Sequence, residues 1–409
     1  MESEGPKTRK GETTIMYETL KEAFRGRFSR EAEYIFSAPG RTELSGNHTD
    51  HQHGCVLAAA VTLDTRAAVA KSTEKRIRIQ SEGYPMCEIA LDDLTVHPEE
   101  TNTTLALVRG VAARFRQLGC EVGGFDAYVT STVLPGSGLS SSAAFEVLVG
   151  TIINHLFFGA QATPVQVAQI GQYAENVYFG KPCGLMDQTA SSVGNIITID
   201  FADPEQPVVE RLDFDFASCG YSLCILDSGA DHAELTDEYA AIPREMKQAA
   251  AVFGKNVLRE VDESEFYARI ADVRKACGDR AVLRAIHFFE ENRRVQLQVR
   301  ALQNDNFDAF LHYVTESGRS SQLYLQNVTP LGASAHQDMA FTLALAEKLL
   351  DGHGACRVHG GGFAGTALAF VPKERLEQFR EGFEAVMGKG SCHVLAIRAE
   401  GGVLLEECR

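Results

Sequence analysis

Leu134-Pro135-Gly136-Ser137-Gly138-Leu139-Ser140-Ser141-Ser142-Ala143-Ala144 is the stretch on which the fold turns. Before it, Gly124 to Val133 alternates, with Phe125, Ala127 and Val129 on one face and Asp126, Tyr128 and Thr130 on the other, the pattern of a half-buried strand. After it, Leu139 to Leu156 carries Ala143, Phe145, Val147, Leu148 and Ile152, which predicts a helix that Ser140, Ser141 and Ser142 can cap. Small residues between a strand and a helix let backbone N–H groups close around a polyphosphate, and the helix dipole adds attraction. No Gly-Lys-Ser/Thr follows, so this is not a Walker loop, and Ser141 stands where a dinucleotide fingerprint needs its third glycine. Taken alone, the stretch could equally be a glycine turn with a serine cap.

Three further segments carry chemistry. Residues 39–54, from Pro39 to Gly54, hold Arg41, Asn47, His48, Asp50 and His51 between glycine breaks. An Asp can accept hydrogen bonds from two adjacent hydroxyls and an Arg can neutralise a transferring phosphoryl group, which suits a sugar site. His48, His51 and His53 invite a zinc reading, but no cysteine or other short-range histidine pair completes a tetrahedral set. Glu175 at a helix end precedes Cys183-Gly184-Leu185-Met186-Asp187-Gln188, so one carboxylate could hold a cation while another takes a proton. Finally, Arg357-Val-His-Gly-Gly-Gly-Phe-Ala-Gly places three glycines after a strand, where the backbone must come close to something, unless it is a plain flexible turn.

Around these segments the expected elements are a helix from Met16 to Arg25 stopping at Gly26, and an extended run from Tyr34 into a turn at Gly40. A helix from Thr163-Pro164 to Glu175 and a loop from Gly180 to Asp187 follow. The second half shows strand signals at Tyr221 to Leu226, Cys356 to Val358, Thr366 to Val371 and His393 to Ile397, with a helix at Lys373 to Val386. The chain has 409 residues, enough for two domains: a frayed tail over 1–15, an N-terminal domain over 16–211 and a C-terminal one over 212–409.

Lys and Arg total 39 against 55 Asp and Glu, a formal charge of -16, which argues against a nucleic-acid or anionic-membrane surface. The N-terminus lacks an apolar core and cleavage site, and no apolar run is long enough to span a bilayer, so a cytoplasmic location is expected. Ten cysteines are scattered without a Cys-x-x-Cys pair and read as buried free thiols. No obligate protein partner is evident.

In this order and spacing the four segments resemble the galactokinase family of the GHMP kinase superfamily. That family's signature reads Gly-Arg-x-Asn-Leu-Ile-Gly-Glu-His-x-Asp-Tyr, and the chain keeps Gly40, Arg41, Leu44, Gly46, His48 and Asp50. The resemblance implies an α+β, two-domain GHMP-kinase fold with its active site in the interdomain cleft, using ATP and Mg2+ to phosphorylate the anomeric hydroxyl of a galactose-like sugar without a covalent intermediate. It makes Asp187 the base and Arg41 its partner, with Ser142 and Glu175 as magnesium ligands. Gly136, Ser137, Gly138, Leu139, Ser140, Ser141, Ser142 and Ala143 form the ATP phosphate loop. His48, Asp50, Gly184 and Tyr239 fall where the family contacts the sugar.

Departures from the signature bear on the substrate. Asn47 replaces the Glu that holds the C6 hydroxyl, His51 replaces Tyr, and Glu43 and Ser45 replace Asn and Ile. Asp50-His51-Gln52 is also similar to plant galacturonate kinases, so the Asn47 amide is expected to face an oxidised or otherwise altered C6. A non-catalytic sugar and ATP sensor of the same family is the alternative, but such proteins lose residues from the Ser-Ser-Ser-Ala stretch, which is intact here. A dinucleotide-dependent oxidoreductase would need the missing glycine.

Overall fold

The computed structural model describes residues 10–133, 138–181, 183–230 and 235–408, with the backbone alone for 10–14. A helix over Lys10–Phe28 opens the chain. It starts inside the expected tail and runs through Gly26, where a Cβ would meet nothing within 4 Å, so no local constraint ends the helix there. Leu20 and Phe24, flanked by Tyr17 and Phe28 at helical spacing, pack on Ile35, Ala68 and Ala70.

Eight strands build the first sheet. Seven come in sequence: β1 Tyr34–Ser45, β2 Cys55–Ser72, β3 Arg76–Ser81, β4 Met86–Ala90, β5 Gly124–Ser131, β6 Ile196–Asp200 and β7 Val208–Leu212. A second, four-stranded sheet is made of β8 Tyr221–Asp227, β9 Ala355–Val358, β10 Thr366–Pro372 and β11 Cys392–Leu395. The chain then returns as β12 Val403–Glu407 to pair with β1, so the C-terminal segment completes the first sheet. The change of sheet falls between β7 and β8, whereas the expected division between 211 and 212 cuts off the last residue of β7.

β1 does not turn at Gly40. It continues to Ser45 with irregularities between Pro39 and Arg41 and between Glu43 and Ser45. These bulges re-aim the side chains, and the Arg41 N–H reaches Leu139 O across 3.0 Å. β2 is long enough to pair with β6 through its first half and β5 through its second.

Helices at Thr104–Gln117, Ser141–Phe157 and Pro164–Tyr173 cover one face of the first sheet, with Val108, Phe115, Leu148 and Ile152 among the buried contacts. On the other side, Leu44, Leu57 and Val61 of β1 and β2 share one core with Ile225 of β8, Phe370 of β10 and Val295 and Phe310 of the helices Asp279–Gln303 and Phe307–Ser320. This continuous core fixes the two halves against each other and places the ends of both sheets at one cleft. Among the described residues, no helix is long and apolar enough to cross a membrane.

Candidate active site

The cleft begins at β1, where Arg41 is 7% exposed. Its Nε donates to Asp187 Oδ1 at 2.7 Å and its Nη2 to Asp187 Oδ2 at 2.6 Å, a two-pronged pair, while Nη1 donates to the carbonyl of Gly138. Asp187 lies in the first turn of a helix at Met186–Val193, not in the expected loop. Leu185 and Met186 bury against Val56 and Ile197 and so set the first turn's orientation. Burial raises the Asp187 carboxyl, but the Arg41 guanidinium and the Ser140 hydroxyl outweigh it and leave the group below the usual carboxylate range.

Ser140 does not cap its helix. It sits just before Ser141–Phe157 at φ 56 with no side-chain cap bond, and its Oγ donates to Asp187 Oδ2 at 2.7 Å. Gly138 and Leu139 close the described end of the phosphate loop, and Gly136 and Ser137 lie outside the described residues. Ser141, Ser142 and Ala143 form the first turn of that helix, and Ala143 is fully buried.

Behind this turn stands an oxygen-rich cluster. Gln188 Nε2 donates to Glu175 Oε2 at 2.9 Å and to Glu146 Oε2 at 3.0 Å, and Lys181 Nζ is 3.6 Å from Glu175 Oε1. Glu146 lies one helical turn beyond Ser142, and its Oε1 and that of Gln188 are buried without a hydrogen-bond partner among the described residues. Burial and the Glu175 charge push the Glu146 carboxyl well up. Unused carboxylate and amide oxygens are the donor chemistry a hard divalent cation takes, and here they belong to Glu146 and Gln188, beside Glu175 and one helical turn from Ser142.

Three of the residues expected at the sugar, Asn47, His48 and Tyr239, converge on the three-glycine turn. Asn47 Nδ2 donates to Gly360 O at 2.5 Å, His48 Nε2 to Gly361 O at 3.0 Å, and Tyr239 Oη to Gly362 O at 2.7 Å. Glycine is required here: a Cβ on Gly361 would strike the Tyr239 ring, and one on Gly362, at φ +84, the Asn327 backbone. Asp50 faces Gly184 so closely that any Cβ at 184 would collide with its carboxylate. A cavity of about 360 Å³ opens beside Asp50 and Gly184, lined further by His51, His53, Gln172 and Asn176. Burial and His51 hold His48 down at about 4, so its Nδ1 is a neutral, buried acceptor without a partner among the described residues.

Asn47 does not face the cleft as expected. It is fully buried, and its second partner is Glu43 Oε1 at 3.1 Å, while Asn327 Nδ2 at 2.8 Å and Ser321 Oγ at 3.3 Å donate to its Oδ1. Glu43 is in turn paired with Arg357 at 2.6 Å, and Arg357 Nη1 donates to Leu44 O at 3.0 Å. The long helix Asp279–Gln303 braces the same loop: Glu291 accepts from Ser45 Oγ and Gly46 N, and His287 donates to Asn47 O. Arg357 and His359 lie inside a segment the sequence reading had singled out for its glycines, and Gln188 adjoins Asp187, but nothing in one sequence marks them as a network. Glu146 had only its position four residues after Ser142 as a signal.

The chain is 32% identical to a galactokinase of Streptomyces coelicolor over 359 residues, 86% of this chain and 88% of that protein. It belongs to the galactokinase family. Residues 22–71 match the galactokinase galactose-binding signature, and residues 106–195 match the N-terminal domain of GHMP kinases. The crystal structure of Lactococcus lactis galactokinase complexed with galactose superposes with a TM-score of 0.81 at 26% identity, covering 95% of this chain and 100% of that one. Mevalonate kinase of Methanococcus jannaschii shares the fold at a TM-score of 0.63 and 13% identity, over 90% of this chain and 99% of its own. The protein is therefore a sugar kinase of GHMP fold, a class whose phosphoryl donor is ATP.

Proposed function

We propose that this galactokinase-family enzyme transfers the γ-phosphoryl group of ATP to the anomeric C1 hydroxyl of galactose. The observation that carries the reading is the Arg41–Asp187 pair, held from the other side by Ser140 at the mouth of the phosphate loop. Asp187 is ionised and can receive the hydroxyl proton. A carboxylate held this low is a weak base, which suits a loose phosphoryl-transfer transition state in which the proton leaves late. Arg41 joins the base to the loop through Gly138 and offers a fixed positive charge where negative charge is moving.

His48, Asp50, Gly184 and Tyr239 would orient the sugar, because they come together around one turn and one cavity edge. Ser142 and Glu175 would hold Mg2+, which when bound supplies neutralisation of the polyphosphate charge. A C6-oxidised galactose such as galacturonate is the second reading. One observation favours it: the carboxylate at position 43 is turned inward against Arg357, so it does not stand where it would repel a uronate. Asn47 supports either sugar only by shaping the loop.

The reading is tested by ADP release with galactose, galacturonate and N-acetylgalactosamine, each with wild type and Asp187→Asn. Galactose-dependent turnover lost in Asp187→Asn with sugar binding kept is the expected result. ADP release independent of any sugar would overturn it.

A further inference from the structure

His359 belongs to the segment after β9, and its side chain is 2% exposed beneath the cleft. Nε2 lies 3.2 Å from the backbone nitrogen of Glu43 and 3.1 Å from Thr42 Oγ1. A backbone N–H can only donate, so Nε2 is the acceptor and the ring proton sits on Nδ1, where it donates to Thr366 Oγ1 on β10 at 3.0 Å. The backbone of Gly138 packs against the other edge of the ring: a Cβ there would lie 2.9 Å from both His359 Nδ1 and Thr366 Oγ1. The imidazole thus touches the two residues that follow Arg41 in β1 and the loop residue whose carbonyl Arg41 binds. Arg41 and Arg357 lie near enough to oppose a positive ring, and burial acts in the same direction, so the ring stays neutral.

We propose that His359 is a positioning residue for phosphoryl transfer, a neutral imidazole anchored in the second sheet that holds β1 and the Gly138 end of the phosphate loop so that Arg41 meets Asp187 and the transferring group together. The proposal rests on the assignment of Arg41 and Asp187 to catalysis. It makes the cleft's alignment depend on a residue that touches neither substrate, and it gives the second sheet a part in the chemistry of the first.

The test compares His359→Phe, which keeps a ring but no acceptor, with His359→Gln, whose amide oxygen can still accept from Glu43 N–H. Misplacement on the order of 1 Å can cost about a hundredfold in rate. His359→Phe should therefore lose roughly that factor in kcat with KM for galactose and ATP within about threefold, and His359→Gln should recover at least about tenfold. Should the Phe variant fail to fold, Thr366→Val, which removes the Nδ1 acceptor, carries the test, with about a fivefold loss of kcat at unchanged KM. Loss confined to KM, a Gln variant no better than Phe, or a Thr366→Val enzyme with full kcat would overturn the proposal. A wild type that phosphorylates no sugar would instead overturn the assignment of Arg41 and Asp187.

Discussion

Arg41→Ala is the perturbation whose outcome the geometry specifies most fully. With both carboxylate oxygens within 2.7 Å of the guanidinium, the two charge centres are about 4 Å apart. At an effective dielectric near 20 that attraction is worth roughly 4 kcal/mol, an upper figure for a carboxylate whose side chain is 30% exposed. An adjacent opposite charge holds a carboxyl group down by about 1–3 pH units. Asp187 is now depressed below 3.8, so it is ionised at every pH above that value and its basic form is lost only as pH falls through it. Without Arg41, burial acts with much less opposition and the folded value rises above the ordinary one. The wild-type kcat should be flat from pH 8 to about 5, while in Arg41→Ala the acid limb should move up by about 1–3 pH units. The plateau should also fall by roughly 10²–10⁴, because the same guanidinium neutralises the transferring group. The assay is kcat against pH by coupled ADP release at saturating galactose and MgATP. An Arg41→Ala enzyme with the wild-type acid limb and plateau would refute the reasoning.

Glu175→Ala should raise the magnesium requirement and weaken MgATP binding by about tenfold while galactose affinity barely moves, as titration calorimetry with each ligand would show. Asn47→Glu places a second carboxylate against Glu43 in a fully buried network. It should cost about 3–5 kcal/mol of stability in urea unfolding rather than improve the use of galactose. Arg357→Leu strands Glu43 in the same way and should cost a similar amount, with Arg357→Leu/Glu43→Leu recovering most of it.

The segments that carry Arg41 and Asp187 were legible in the sequence, as glycines before a helix, an Arg between glycine breaks and an Asp in a glycine-containing stretch, but their pairing was expected only through the resemblance to the galactokinase family. The strands of the second sheet were legible as alternating or compact apolar runs, and the fold class through the resemblance to GHMP kinases. The orientation of Asn47 was not, because it is decided by Glu43 four residues away together with Asn327 and Gly360 from the far end of the chain. Ser140 has the residue type of a cap, but its left-handed backbone and the Asp187 carboxylate redirect its hydroxyl. β2 escaped notice because both of its faces are largely buried, so Val56, Leu57, Ala58, Ala59, Ala60 and Val61 show no alternation. The return of β12 to β1 is a long-range pairing without a local signal.

Phosphorus and proton NMR of the product formed from galactose and MgATP tests the central claim most directly. The account predicts stoichiometric ADP and a sugar monophosphate whose phosphorus couples to the anomeric proton, formed by wild type and not by Asp187→Asn. A phosphorus coupled to a proton at any other carbon, or the same anomeric phosphate accumulating at the wild-type rate with Asp187→Asn, would contradict it.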